Sequence, residues 1–195
     1  MGKALQFGLT ALLSIHSAVA APTQSAFQAC TEIRNALPNK VLINGIVSVK
    51  YDYETSQYWS TTLRQVKPAC IVQPSSAEDV AAAVLVLNKY SSVPFAIRSG
   101  GHDPNVGHAT VQDGVLITMT NLQGAEYDAE KNVAYVKPGG EWNDVIGELE
   151  PHGVAIAGGR MGRSCSSSTI TTQLTFNPRY CRCWWPSSAG RPLIS

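Results

Sequence analysis

The stretch Arg98-Ser99-Gly100-Gly101-His102-Asp103, set directly after the apolar run Val93-Pro94-Phe95-Ala96-Ile97, constrains this chain more than any other. A short apolar run that ends on paired glycines reads as a buried strand passing into a tight turn. Residues without a Cβ admit φ values closed to other side chains and let a ligand come close to the backbone. Successive amides in such a turn can point into one concavity and bind phosphate oxygens. Arg98 adds positive charge, and His102 adds a nucleophilic ring nitrogen. Together they suit a nucleotide cofactor that is cradled by its phosphates and tethered through the imidazole.

The surrounding pattern is that of an α/β unit. Residues 69–72 read as a strand, broken by Pro74-Ser75. Ser75 and Glu78 have capping-box spacing ahead of an Ala-, Val- and Leu-rich helix over 77–90. Phe95 to Arg98 is the next strand, so the section is a βαβ unit with the glycine turn at the carboxyl end of its second strand. Ligands of α/β sheets commonly bind there. A helix is expected over 27–37, stopped by Pro38, followed by a mixed stretch over 39–65 with Tyr51, Tyr53, Tyr58 and Trp59 as aromatic bulk. Further strands are expected over 115–119, 125–127 and 133–136, the last two joined by the polar turn 128–132. Lys137-Pro138-Gly139-Gly140 reads as a turn before an amphipathic helix over 141–150, with Trp142, Val145, Ile146 and Leu149 on one side. Pro151-His152-Gly153 ends that helix, and 154–157 reads as a buried strand before Gly158-Gly159-Arg160.

The glycine turn continues as Pro104-Asn105-Val106-Gly107-His108-Ala109. With this continuation the chain resembles the fungal FAD-linked oxidoreductases of the berberine-bridge-enzyme-like group, whose flavin domain is called PCMH-type. The resemblance runs from about Cys30 to Gly162. It also takes in Tyr58-Trp59-Ser60, Val72-Gln73-Pro74, Val136-Lys137-Pro138-Gly139-Gly140 and Gly158-Gly159-Arg160. Several motifs in the right order are far more specific than one glycine turn. The resemblance implies an α+β fold: a PCMH-type FAD-binding domain of two small α/β subdomains clasping FAD, with a C-terminal substrate domain that this chain lacks. It implies covalent attachment of FAD through His102. The cofactor-binding residues it implies are Arg98, Ser99, Gly100, Gly101, His102, Asp103, Asn105, Gly107, His108 and Gly139, with Gly140 beside them. Arg98 has the plainer reading of pairing with an acid in the core, and Trp142 that of core packing. It points to a Cys30–Cys70 disulfide as well. The implied activity is oxidation of a small organic substrate, with secondary metabolites as its class, by hydride transfer to flavin and reoxidation by O2. The usual catalytic base of the family lies beyond the matched residues, so no catalytic residue is named. Two other readings stand beside this one: a flavin-domain fragment without turnover, and a secreted protein that is not an enzyme.

Composition sets the outer bounds. At 195 residues, with 44 % hydrophobic and 15 % charged residues, the chain can bury a core and is not of disordered type. A net charge of +1 without a basic tract argues against nucleic acid or an anionic membrane surface as partner. Residues 1–20 read as a signal peptide: Lys3, an apolar stretch over 4–15, and Ala18-Val19-Ala20 as a cleavage signature. The stretch is too short for a membrane span. Secretion is therefore expected, and that route permits disulfides. No Asn-x-Ser/Thr sequon occurs. The division is thus 1–20 signal peptide, 21–65 lead-in, and 66–195 FAD-binding domain, aberrant after about 162. Beyond that point 163–172 is Ser/Thr-rich, no glycine occurs between Gly162 and Gly190, and Cys181-Arg182-Cys183-Trp184-Trp185-Pro186 has no counterpart in the family. A shifted reading frame or a mis-predicted splice near Arg163, and again after Tyr180, is the expectation this supports. Five cysteines leave an odd thiol, and Cys165 is not assigned to the flavin. His102, Asp103, His108 and His152 match no zinc spacing, so no metal is expected.

Overall fold

In the computed structural model, which describes residues 23–45, 48–156 and 158, the apolar runs of the sequence become the centre of a four-stranded sheet. The expected signal peptide, Gly159-Arg160, the tract over 163–172 and Cys165, Cys181 and Cys183 lie outside the described residues. The chain runs α1 (Gln24–Ala36), β1 (Val41–Ile43), α2 (Val49–Ser56), α3 (Thr61–Gln65), β2 (Cys70–Val72), α4 (Ala77–Leu87), β3 (Phe95–Arg98) and β4 (Val115–Thr118). The hairpin β5 (Ala125–Asp128) and β6 (Val133–Val136), the helix α5 (Trp142–Leu149) and one 3-10 turn (Glu150–His152) follow.

The sheet order is β1-β2-β4-β3. Strands β2, β4 and β3 are parallel, and β1 runs antiparallel on β2. The βαβ unit is present, but β4 lies between its two strands. Every residue of β2 and β4 is buried, because both faces of the sheet are covered. On one face Ala29, Ile33 and Val86 from α1 and α4 pack on Val72, Val115 and Ile117. On the other, Tyr51 and Val111 cover Ile71, Leu116 and Ala96. Strands buried on two sides read as continuous apolar runs, which is how these appear in the sequence. Edge strand β3 buries Ala96 and Arg98 and leaves Phe95 and Ile97 exposed.

Cys30 and Cys70 form the expected disulfide, with Cα atoms 5.9 Å apart, joining α1 to β2. The stretch set apart as a lead-in is therefore part of the same structure: α1 belongs to the core and β1 to the sheet.

Helix α4 begins at Ala77, as expected, and ends at Leu87, short of residue 90. Ser76, not Ser75, is the N-cap, and its hydroxyl accepts the Asp79 N–H at 3.3 Å. The Asp79 carboxylate accepts from the Ser75 N–H at 2.8 Å and from Lys40 Nζ at 2.5 Å. The Lys40 ammonium, helped by the Ser75 amide, holds the Asp79 carboxyl down at about 2. A carboxyl depressed in the folded state adds stability above its unfolded pKa, and that stability is lost as pH falls through the folded value. Asp79→Asn is therefore expected to destabilise the domain at neutral pH. The difference from the native chain should shrink between about pH 4 and pH 2, read from urea unfolding midpoints across that range.

The second unit is smaller. In the β5–β6 hairpin Ala125 faces Val136 and Asp128 faces Val133. The turn is closed by the Asp128 carboxylate, which accepts the Lys131 N–H at 3.0 Å, and by Asn132 at φ 52°. Helix α5 buries Trp142, Val145 and Leu149 against Ala125, Tyr127, Ala134 and Val136. Ile146, expected on that same side, is exposed, because the hairpin offers only two strands to cover. Residues 154–156 are not a strand; Val154 and Ile156 pack half-buried on α5 without pairing to the hairpin. Among the described residues no helix is long and apolar enough to cross a membrane.

Candidate functional site

Because β2, β4 and β3 are parallel, their carboxyl ends open along one edge, and the segments leaving that edge build the site. The turn after β3 begins with a side chain that the structure turns inward. Arg98 is 2 % exposed. Its guanidinium donates to the Glu54 backbone carbonyl at 2.6 Å and to the Glu54 carboxylate. The Tyr58 ring lies against it, 5.0 Å from guanidinium carbon to centroid. The positive charge expected to face a phosphate is thus satisfied inside the protein, in keeping with the plainer reading of an acid partner in the core. Ser99 is also buried, and its hydroxyl donates to the Pro138 carbonyl, tying the glycine turn to the turn before α5.

Gly101 has φ +66°, and a Cβ there would lie 3.0 Å from Tyr58 Cδ1 and 3.3 Å from Arg98 Cδ. Both the backbone conformation and the close packing require glycine. Among the described residues, no protein acceptor takes the amides of Gly100 or Gly101. Two N–H groups in a turn of this kind, without an acceptor among the described residues, are candidates to receive an anionic oxygen. His102 is exposed at its rim, and its carbonyl accepts from Trp59 Nε1 at 3.0 Å.

The remaining candidates of this loop face one another. The Asp103 carboxylate accepts the Asn105 N–H at 2.9 Å and the Asn105 side-chain amide at 2.8 Å, and lies 2.7 Å from His108 Nδ1. The Asn105 amide first, and His108 second, hold the Asp103 carboxyl below the usual carboxylate range. Asp103, Asn105 and His108 thus shape the loop beyond the turn. Gly107 lies in the exposed part of that loop at φ +89°, with open space around it.

Gly139 differs from expectation. Its amide, read as a contact to the cofactor, is donated to the Leu122 carbonyl at 2.7 Å. A Cβ on Gly139 would run into the Met119 carbonyl oxygen. The glycine is there so that the second turn can press onto the end of β4. Between that turn and the start of α4 lies a recess of about 510 Å³, lined by Ala77, Val80, Met119, Leu122, Val136 and Pro138 among others. Pro138 is also the partner of Ser99, so an amide cradle and an apolar recess adjoin. A dinucleotide needs both: donors for its phosphates and an apolar surface for a flat ring.

Three residues that hold the turn, Glu54, Tyr58 and Trp59, come from the mixed stretch, where the sequence showed aromatic bulk and no site. Only the resemblance pointed at Tyr58 and Trp59, and nothing pointed at Glu54.

An α+β fold with an amide cradle at the carboxyl edge of a parallel sheet defines a nucleotide-cofactor-binding domain. The FAD binding domain family matches residues 68–173, and the chain belongs to it. An uncharacterized FAD-linked oxidoreductase of Arthroderma benhamiae is 40 % identical over 113 residues, which are 57 % of this chain and 23 % of that protein. The FAD-dependent monooxygenase prx3 of Penicillium roqueforti is 35 % identical over 155 residues, 77 % of this chain and 30 % of its own. Berberine bridge enzyme from Eschscholzia californica superposes with a TM-score of 0.50 at 21 % identity, over 60 % of this chain and 24 % of that one. That likeness bears on the fold, which is the PCMH-type FAD-binding arrangement. The chain spans less than a third of the length of these relatives.

Proposed function

We propose that this domain binds FAD with phosphate oxygens over the amides of Gly100 and Gly101, and bonds it covalently through His102. The protein it serves oxidises a small organic molecule, with secondary metabolites as the substrate class and O2 as the final electron acceptor. The observation that carries this reading is a glycine turn whose two amides have no acceptor among the described residues, with an exposed histidine next in sequence. When bound, FAD supplies a hydride acceptor, a chemistry that no side chain provides. The protein's part is to place and hold it. Gly101 lets the turn pack onto Tyr58 and Arg98, Ser99 joins the two turns, and the apolar recess accommodates a flat ring system. His102 contributes the ring nitrogen of the bond. Attachment there would exchange the imidazole N–H and one C–H of the flavin methyl group for an N–C bond, and the two protons and two electrons released would leave with O2 as hydrogen peroxide. Passage through the secretory route belongs to the same proposal, and the Cys30–Cys70 disulfide supports it.

The test is acid precipitation of the purified chain, with flavin absorbance read in pellet and supernatant and the flavin-bearing peptide located by mass. Flavin is expected in the pellet, on the peptide containing His102. In His102→Ala it should move to the supernatant. A colourless native chain, with no flavin in either fraction, would overturn the reading. Flavin carriage without turnover is the alternative to a working oxidoreductase. It predicts yellow protein that consumes no O2 with any substrate supplied.

A further inference from the structure

Six residues running from α2 toward α3 make three separate contacts with the glycine turn. Glu54 binds Arg98, the Tyr58 ring packs under Gly101, and Trp59 donates to the His102 carbonyl. Of these, Glu54 is the most deeply placed charged group, at 6 % exposure. Its carboxylate does two things at once. One oxygen accepts from Arg98, the last residue of β3. The other accepts from Gln73 Nε2 at 2.8 Å, and Gln73 is the first residue after β2. The carboxylate therefore bridges the ends of two strands at the edge where the cradle opens. Arg98 is pinned from the backbone side too, since its carbonyl accepts the Met119 N–H at 2.8 Å.

This arrangement meets a specific need. Two adjacent glycines have more backbone freedom than any other pair, and a free turn would spread over many conformations. Holding the reacting group in one orientation requires contacts from outside the turn. The rigid end of β3 ends at Arg98, and from there only Ser99, Gly100 and Gly101 separate it from His102. We propose that Glu54, acting through Arg98, is a positioning residue that fixes the turn and so the orientation of His102. The consequence for flavin attachment rests on the FAD reading above; the effect on the turn itself does not.

The experiment compares the full native chain with Glu54→Gln, which keeps the shape and removes the charge. Arg98→Lys is the second variant, should the first fail to fold. Ile33→Val in the α1 core serves as a control that lowers stability far from the turn. The first readout is limited trypsin digestion of folded protein, with cleavage sites assigned by mass. Cleavage after residue 98 is expected in both turn variants and not in the native chain or the control, while cleavage after Lys89 and Lys131 stays as in the native chain. The second readout is the ratio of acid-precipitable to total bound flavin. It should fall about tenfold in Glu54→Gln, in line with the rate cost of a small misplacement of reacting groups. No added cleavage at residue 98 beyond that of the control would overturn the proposal. An opened turn with an unchanged flavin ratio would overturn it as well, reducing Glu54 to a structural ion pair. If no protein carries flavin in any form, the FAD reading fails, while the digestion still decides whether Glu54 holds the turn.

Discussion

Replacing Cys30 and Cys70 together by Ala is expected to lower the free energy of unfolding by about 4 kcal/mol, the chain-entropy value for a loop of this length. The cysteines are 40 residues apart in sequence, so the bond removes a large set of conformations from the unfolded chain. Both are fully buried, and the bond joins α1 to β2, a strand buried on both faces. Helix α1 is otherwise held by apolar contacts of Ala26, Ala29 and Ile33 and by the Glu32 carboxylate, which accepts from Lys89 Nζ and, at 3.0 Å, from Tyr90 Oη. Without the bond its departure would uncover Val72 and Ile117 on that face of the sheet and Val86 of α4. Urea unfolding of native and double-Ala chains gives the difference, and native protein under reductant should approach the double-Ala value. A change below about 1 kcal/mol, outside the usual range for a native disulfide of a small domain, would mean that packing and the Glu32 contacts hold α1 without the bond.

What the sequence made visible was local. Phe95–Arg98 and Val133–Val136 have the bounds that their apolar runs suggest, and the glycine turn sits at a strand end as the paired glycines require. What it hid was set by distance along the chain. Nothing in the run Val115–Thr118 says that it enters between β2 and β3, because sheet order depends on which faces are left to cover. Helix α2 is eight residues long and polar, and its buried residues are Tyr51, Glu54 and Thr55. A buried glutamate looks like a surface one until its arginine is found, 44 residues away. For the same reason Arg98 read equally as a phosphate contact and as a core ion pair. Gly139 shows the complementary case: the sequence marked it as special, and only the structure tells that the neighbour demanding glycine is the Met119 carbonyl.

That ion pair yields the second large effect. Arg98→Met alone, or Glu54→Leu alone, is expected to lower stability by roughly 3–5 kcal/mol, since each leaves one charge buried without its partner. Arg98 loses nothing to solvent in the native fold, being 2 % exposed, and in Glu54→Leu the Tyr58 ring is the neighbour left against it. A cation–π contact, worth about 2 kcal/mol in a desolvated site, does not replace a carboxylate. In Glu54→Leu the Gln73 amide also loses its acceptor. The double variant removes both charges and fills the space with apolar groups, so its loss should be well below the sum of the two single losses. Four urea unfolding curves measure this. Additive losses would mean that the two side chains stabilise the domain independently. The same four proteins also separate stability from positioning. A Met–Leu pair can fill the volume but supplies no hydrogen bonds to Gln73 or to the Glu54 carbonyl, so it restores packing without restoring the bridge between the ends of β2 and β3. Stability should therefore return in the double variant while acid-precipitable flavin stays low. If attached flavin returned together with stability, the turn would be held by packing around residue 98, and the charge at Glu54 would have no part in orienting His102.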